Sequence, residues 1–207
     1  MSTVFLSTAY LGPVQYYCKM CSYDRVMVEA NEHYVKQTYR NRCMIVTANG
    51  LQALSVPVEN PDTDKCLIKD IRISGHGNWQ HIHWNALVSA YGMSPYFEYY
   101  RDDFEPFYQR TYSFLFDWNE QLRATVCELL DIQPSVSFTD EYLADVPNDF
   151  REAIQPRRPG IDPLFHPQPY YQVFGGKYGF LANVSIVDLL FNMGPEGVMV
   201  LQASTKR

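Results

Sequence analysis

No stretch of this chain approaches the roughly 20 consecutive apolar residues that cross a bilayer, so the sequence predicts no membrane-spanning segment. Its first residues, Met1-Ser2-Thr3-Val4-Phe5-Leu6, lack the cationic start and long apolar run of a signal peptide, and the expected address is the cytoplasm. Cysteine is sparse and odd in number, 5 in 207 residues, which fits a reducing compartment better than a disulfide framework. The glycine loops of nucleotide sites are missing too. There is no Gly-x-Gly-x-x-Gly and no Gly-x-x-x-x-Gly-Lys, and Gly175-Gly176-Lys177 lacks the rest of a phosphate cradle. No Gly-x-Ser-x-Gly elbow presents a serine nucleophile. Positive charge is in deficit, with 17 Lys and Arg against 23 Asp and Glu. A net charge of -6 argues against nucleic acid as the main partner, because phosphate binding needs an extended basic stripe.

What is present describes a globular protein. Hydrophobic residues make up 46% and charged residues 19%, enough apolar surface for one substantial core, and one domain is expected over residues 1–207. Tyrosine is abundant at 16, and its ring with a polar tip suits partly wet pockets and interfaces.

The order of apolar patterns predicts the fold class. Residues 4–10 read as a strand, Pro13 opens a helix to residue 22, and residues 25–29 form a second strand. Strand–helix–strand is the signature of parallel pairing. Residues 42–48 and 51–58 form a hairpin about the turn Asn49-Gly50, and residues 68–73 alternate as a further strand. Trp84, Leu87, Val88 and Tyr91 then recur at helical spacing, with Gly92 ending that helix through positive φ. Residues 95–108 read as two short helical pieces broken near Pro106. Residues 114–132 form the longest helix, with Leu115, Trp118, Leu122, Val126 and Leu129 on one stripe, stopped by Pro134. A last helix spans residues 185–193 between an Asn183 or Ser185 cap and Gly194-Pro195. The expected architecture is α/β, a single domain with a central mixed, partly parallel sheet flanked by helices. Residues 145–169 carry six prolines and read as an extended excursion or lid.

Residues 33–42, His-Tyr-Val-Lys-Gln-Thr-Tyr-Arg-Asn-Arg, make a basic, aromatic knot in an acidic chain. Arg40 and Arg42 can fork onto a carboxylate or phosphate, Lys36 supplies a point charge, and His33 adds an acid/base group. Tyr34 and Tyr39 can stack on a sugar or base. The alternative for the same residues is a solvated face paired with nearby acids. Gly75 followed by His81-Ile82-His83 imitates half of a cupin metal motif, but no carboxylate follows in residues 85–91, so the histidines are expected to line a polar pocket without metal. Cys18-x-x-Cys21 lies inside the first helix, where a packed, unreactive pair is expected. Asn183, Ser185 and Asp188 gather at the start of the last helix. Ordinary capping accounts for them; the functional alternative is an anion at the helix start with Asp188 as base.

Three segments resemble in order and spacing the WbqC-like protein family of bacteria: residues 10–16 with the knot at residues 34–42 and residues 54–58 after them, residues 83–87 with Tyr91 and residues 95–97 after them, and Phe180-Leu181-Ala182-Asn183-Val184-Ser185-Ile186-Val187-Asp188-Leu189-Leu190-Phe191-Asn192-Met193-Gly194. The C-terminal string is the most specific of them. Many members carry Gln-Pro where this chain has Thr8-Ala9. The resemblance implies a role tied to surface polysaccharide (O-antigen type) gene clusters, acting on an activated sugar or a group attached to one. The sequence reading is therefore a transferase using an activated sugar or acyl donor. His33, His83 and Asp188 take the catalytic roles. Tyr34, Lys36, Tyr39, Arg40, Arg42, His81, Trp84 and Asn183 bind a small anionic or sugar-linked ligand where the knot meets residues 81–84 under the proline-rich lid. The sequence names no cofactor. The alternative is a non-catalytic binding or scaffold protein of the same pathway.

Overall fold

A computed structural model describes residues 1–60, 65–157 and 159–205. β1 (Thr3–Ser7) leads through the helix α1 (Val14–Ser22) to β2 (Arg25–Glu29), and the two strands pair in parallel from Thr3 opposite Arg25 to Ser7 opposite Glu29. Val4, Leu6, Val26 and Val28 are fully buried, each such side chain contributing about 1.5–3 kcal/mol. α1 is buried on almost every side, from Val14 to Met20. β3 (Arg42–Thr47) and β4 (Gly50–Ser55) form a separate antiparallel hairpin. Its register sets Thr47 opposite Gly50, so Ala48 and Asn49 make the loop and Gly50 alone takes positive φ, 96°. The expected turn is displaced by one residue.

Residues 68–73 are not a strand: Ile68–Asp70 is a single 3₁₀ turn, and only isolated bridges at Arg72 and Ile73 follow. Fully buried Ile68 and Ile71 are three apart, which suits a turn of three residues as well as it mimics alternation. α2 (Trp79–Tyr91) runs into Gly92, whose φ of -57° is helical, so the positive-φ ending is absent. α3 (Phe97–Gln109) continues through Pro106 as one helix, with Arg110 N–H bonded to the Pro106 carbonyl. The break expected at that proline does not occur, since the ladder resumes beyond it. α4 (Leu115–Leu129) carries the predicted stripe, in which Leu115, Trp118, Leu122 and Val126 have no exposed surface. It stops before Pro134, at Asp131 (φ 53°), where Ile132 N–H returns to Cys127 O at 2.9 Å and Asp131 N–H to Glu128 O at 3.0 Å.

β5 (Val136–Phe138) follows, three residues that pair in parallel with β2 and give the order β1-β2-β5. The protein is thus α/β with parallel and antiparallel sheet, as expected. Residues 145–169 form no strand or helix among those described, yet they are tied down as a strap. Phe5 N–H donates to Asn148 O and Phe150 N–H to Phe5 O, covering the free edge of β1. The Lys19 ammonium meets Asp162 at 2.6 Å, both side chains buried, and His166 N–H bonds Ser204 O. α5 (Gly175–Tyr178), α6 (Ile186–Met193) and α7 (Gly197–Ala203) complete the chain, with α6 buried along nearly its whole length. No described helix is long and apolar enough to cross a membrane.

Candidate functional site

The carboxyl ends of parallel strands leave loops that converge on one edge of the sheet, where ligands of open α/β folds bind. Here those ends deliver polar groups: Ser7 and Thr8 at the end of β1, Glu29 and Glu32 at the end of β2, and Thr139 just after β5. Arg40 points among them, 3% exposed. Its Nε donates to Glu32 at 2.8 Å and its Nη2 to the other Glu32 oxygen at 2.6 Å, a two-pronged pair. The same Nη2 reaches Ser7 Oγ at 2.8 Å and Glu152 of the strap at 3.0 Å. Burial alone would lower the Arg40 pKa, but the hydrogen bonds and charges of Glu32 and Glu152 together outweigh it and the guanidinium stays charged.

Arg151 enters from the strap. Its Nη1 donates to Glu29 at 2.9 Å, while Nε and Nη2 grip Asp149 at 2.9 and 2.6 Å. Burial raises the Asp149 pKa, yet the bonds from Arg151 dominate and hold it below the usual carboxylate value. Thr8 Oγ1 donates to Glu120 of α4 at 2.8 Å, and Arg123 Nε meets the second Glu120 oxygen at 2.6 Å. In this cluster Glu29, Glu32, Glu120, Asp149 and Glu152 outnumber Arg40, Arg123 and Arg151.

Between these groups lies a cavity of about 10 Å³, lined by Leu6, Ser7, Thr8, Ala9, Tyr16, Tyr39, Arg40, Phe150, Arg151 and Ile154. Tyr16 is 3% exposed and its hydroxyl has no hydrogen-bond partner among the described residues. Burial, then the nearby Glu120 charge, push its pKa well above the ordinary tyrosine value, so it is a hydroxyl donor. Two larger grooves, about 380 and 300 Å³, flank residues 131–134 at the amino end of β5, and Arg123 lines the first of them.

The predicted site residues divide. Tyr39 and Arg40 reach the cavity. Tyr34 is buried beside them in sequence, while His33 and Lys36 face solvent. Arg42 lies on β3, its Nε donating to Ser55 Oγ at 2.9 Å. His81 is exposed on α2 and bonds Asn85 at 2.8 Å. His83, two residues on, is buried instead, its Nδ1 3.0 Å from the Tyr10 hydroxyl, which in turn meets Tyr108. Burial lowers its pKa to about 4, against an opposing bond with the Ser55 backbone, so the imidazole is neutral at pH 7. Residues two apart on a helix point about 200° apart, and the two histidines share no pocket. Trp84 is core, stacked on Tyr108 at 5.6 Å.

Asp188 is 1% exposed and accepts from Tyr170 and Gln172 at 2.8 Å and Tyr91 at 3.1 Å. Burial pushes its carboxyl up to about 6, with the three donors opposing. Asn183 caps a different helix from the one expected: its Oδ1 accepts Gln15 N–H at 2.9 Å, beside a Val14 N–H bond to Val184 O, closing the start of α1. Ser185 precedes α6 but turns its hydroxyl to Leu11 O. Burial raises the Cys18 and Cys21 thiols to about 12, consistent with a packed pair. No described group of His, Cys, Asp or Glu could hold a metal.

The sequence reading missed Thr8, Tyr16, Glu29, Glu32, Glu120 and Arg151. The sequence offered little signal for them: Thr8 falls inside the strand expected over residues 4–10, which ends at Ser7 in the structure, at the point where many WbqC-like proteins carry Gln-Pro.

Comparison with known proteins places this edge of the sheet inside a recognised region. The model of the WbqC-like protein family matches residues 8–155, which contain all six of those residues and Arg40, but not the C-terminal string. The uncharacterised protein Rv1507c of Mycobacterium tuberculosis is 26% identical over 201 residues, covering 84% of this chain and 85% of its own length. No solved structure matches.

Proposed function

Because the chain belongs to the WbqC-like protein family, we propose that it acts in bacterial surface-polysaccharide assembly as a transferase using an activated sugar or acyl donor. The reaction is assigned to the carboxyl edge of the parallel sheet. One observation carries the reading: residues 32–42 build two charge environments from a single segment. Glu32, Tyr39 and Arg40 turn inward to the strand ends, and His33 and Lys36 face outward. In this reading the exposed Lys36, with Arg42, meets the anionic part of the donor, and His33 moves the proton. Arg40, already bonded to carboxylates, orders the inner wall.

Entry requires the strap to lift. Of its ties the pair of Glu152 with Arg40, in which Glu152 is 69% exposed, is the weaker, whereas the buried pair of Arg151 with Glu29 must part as well.

The second reading, a non-catalytic binding or scaffold protein, is supported by the same Arg40, whose bonds are satisfied by the protein itself, and by His83, which is held neutral in the core. A thermal-shift panel of nucleotide sugars and acyl donors tests the proposal, because a ligand that binds only the folded state raises its melting temperature. At least one donor should raise it and be consumed in the presence of an acceptor, and Lys36→Ala should reduce both effects. A saturable shift without turnover would favour the binding protein, and no shift with any donor would remove the transferase reading.

A further inference from the structure

We propose that the cavity at the end of β1 is a subsite for a neutral hydroxyl-bearing group, as on a sugar or polyol, with the Tyr16 hydroxyl as its donor. Its volume of about 10 Å³ admits one water-sized group and no more, which matches a single hydroxyl. Buried polar atoms are almost always hydrogen-bonded, and Tyr16 Oη is an exception on the wall of this cavity. An acceptor arriving there would complete it. Thr8 Oγ1 has spent its proton on Glu120, so its lone pairs remain to receive a proton from the same group. A hydroxyl can accept from Tyr16 and donate to Thr8 at once; a phosphate or carboxylate can only accept.

Charge decides in the same direction. Among the described residues the surrounding carboxylates outnumber the guanidiniums, and Arg40 and Arg151 are each bonded to two carboxylates. A second anion would meet net repulsion with no unpaired cation among the described residues that line the cavity, whereas a neutral hydroxyl is cheaper to bury than a charge and regains hydrogen bonds there. The strap residues Phe150, Arg151 and Ile154 line the cavity, so one hydroxyl of the ligand enters as they lift and the rest of the ligand, too large for the cavity, keeps them lifted. The subsite deepens the transferase reading by giving the acceptor's chemistry and rests on that reading for its purpose, but not for its binding.

The test is calorimetric titration of the whole protein with D-glucose, D-galactose, N-acetyl-D-glucosamine and myo-inositol, and with inorganic phosphate as the anion. At least one neutral compound should bind, and phosphate should not compete with it. Tyr16→Phe removes a hydroxyl that has no partner among the described residues, so it should leave the melting temperature unchanged and weaken that compound about tenfold or more. Should this variant fail to fold, Thr8→Val is expected to weaken the same compound similarly. No neutral binding, or equal affinity in wild type and Tyr16→Phe, overturns the proposal. So does a fall in melting temperature with unchanged affinity, which would mean that the hydroxyl serves a trapped solvent molecule only. If nucleotide sugars bind while neutral compounds do not, the subsite fails and the transferase stands. If neutral compounds bind through Tyr16 and no donor engages the protein, the subsite stands and the transferase fails.

Discussion

Replacing Asp188 by Asn should change how stability depends on pH, in a direction set by the burial of that carboxyl. Asp188 is 1% exposed and its donors are the neutral Tyr91, Tyr170 and Gln172. Its pKa in the folded protein is raised to about 6, so the folded state holds the proton more tightly than the unfolded chain does. The stability from this group is therefore fully present below the ordinary carboxylate pKa and is lost as pH rises through about 6. At about 1.4 kcal/mol for each tenfold difference in proton affinity, the full swing is about 3 kcal/mol, most of it between about pH 4 and 7. The Asn variant cannot titrate at this position, and subtracting its curve cancels every other group common to both proteins. Urea unfolding of the two proteins across that range should show wild type losing about 2–3 kcal/mol relative to Asp188→Asn as pH rises. A constant difference, or wild type gaining with pH, would show that the carboxyl is ionised without penalty and would refute the reasoning.

Two further substitutions test the packing around the sheet. Arg40→Ala leaves Glu32 buried without its partner and should cost about 3–5 kcal/mol in denaturant unfolding, with Arg40→Lys costing less because charge survives while the fork is lost. Gly194→Ala should cost about 2 kcal/mol or more in melting experiments, because φ is 58° and a Cβ there would lie 2.5 Å from the Tyr96 ring.

The parallel β1–α1–β2 unit was legible because its apolar runs and the Pro13 signal agree with the buried positions that tertiary packing uses. β5 was not, since three residues after Pro134 are too few to display alternation, and their pairing comes from β2. The continuity of α3 was hidden because Pro106 reads as a stop, although it leaves the next bond, Arg110 to its own carbonyl, intact. Arg40 and Tyr39 were found through local composition. Thr8, Tyr16, Glu120 and Arg151 have no common spacing, because each arrives on a different element and only the strand ends bring them together. Asn183 shows the same limit: its side chain serves a helix 168 residues earlier in the chain, which no local capping rule could indicate.

The central claim is that ligands engage the carboxyl edge of the β1-β2-β5 sheet beneath the strap. Hydrogen–deuterium exchange with and without a donor or sugar that raises the melting temperature measures this most directly. Added protection is expected in residues 32–42 and in 145–157, with residues 131–134 unchanged. Protection confined to the grooves around residues 131–134, with the strap unaffected, would contradict it.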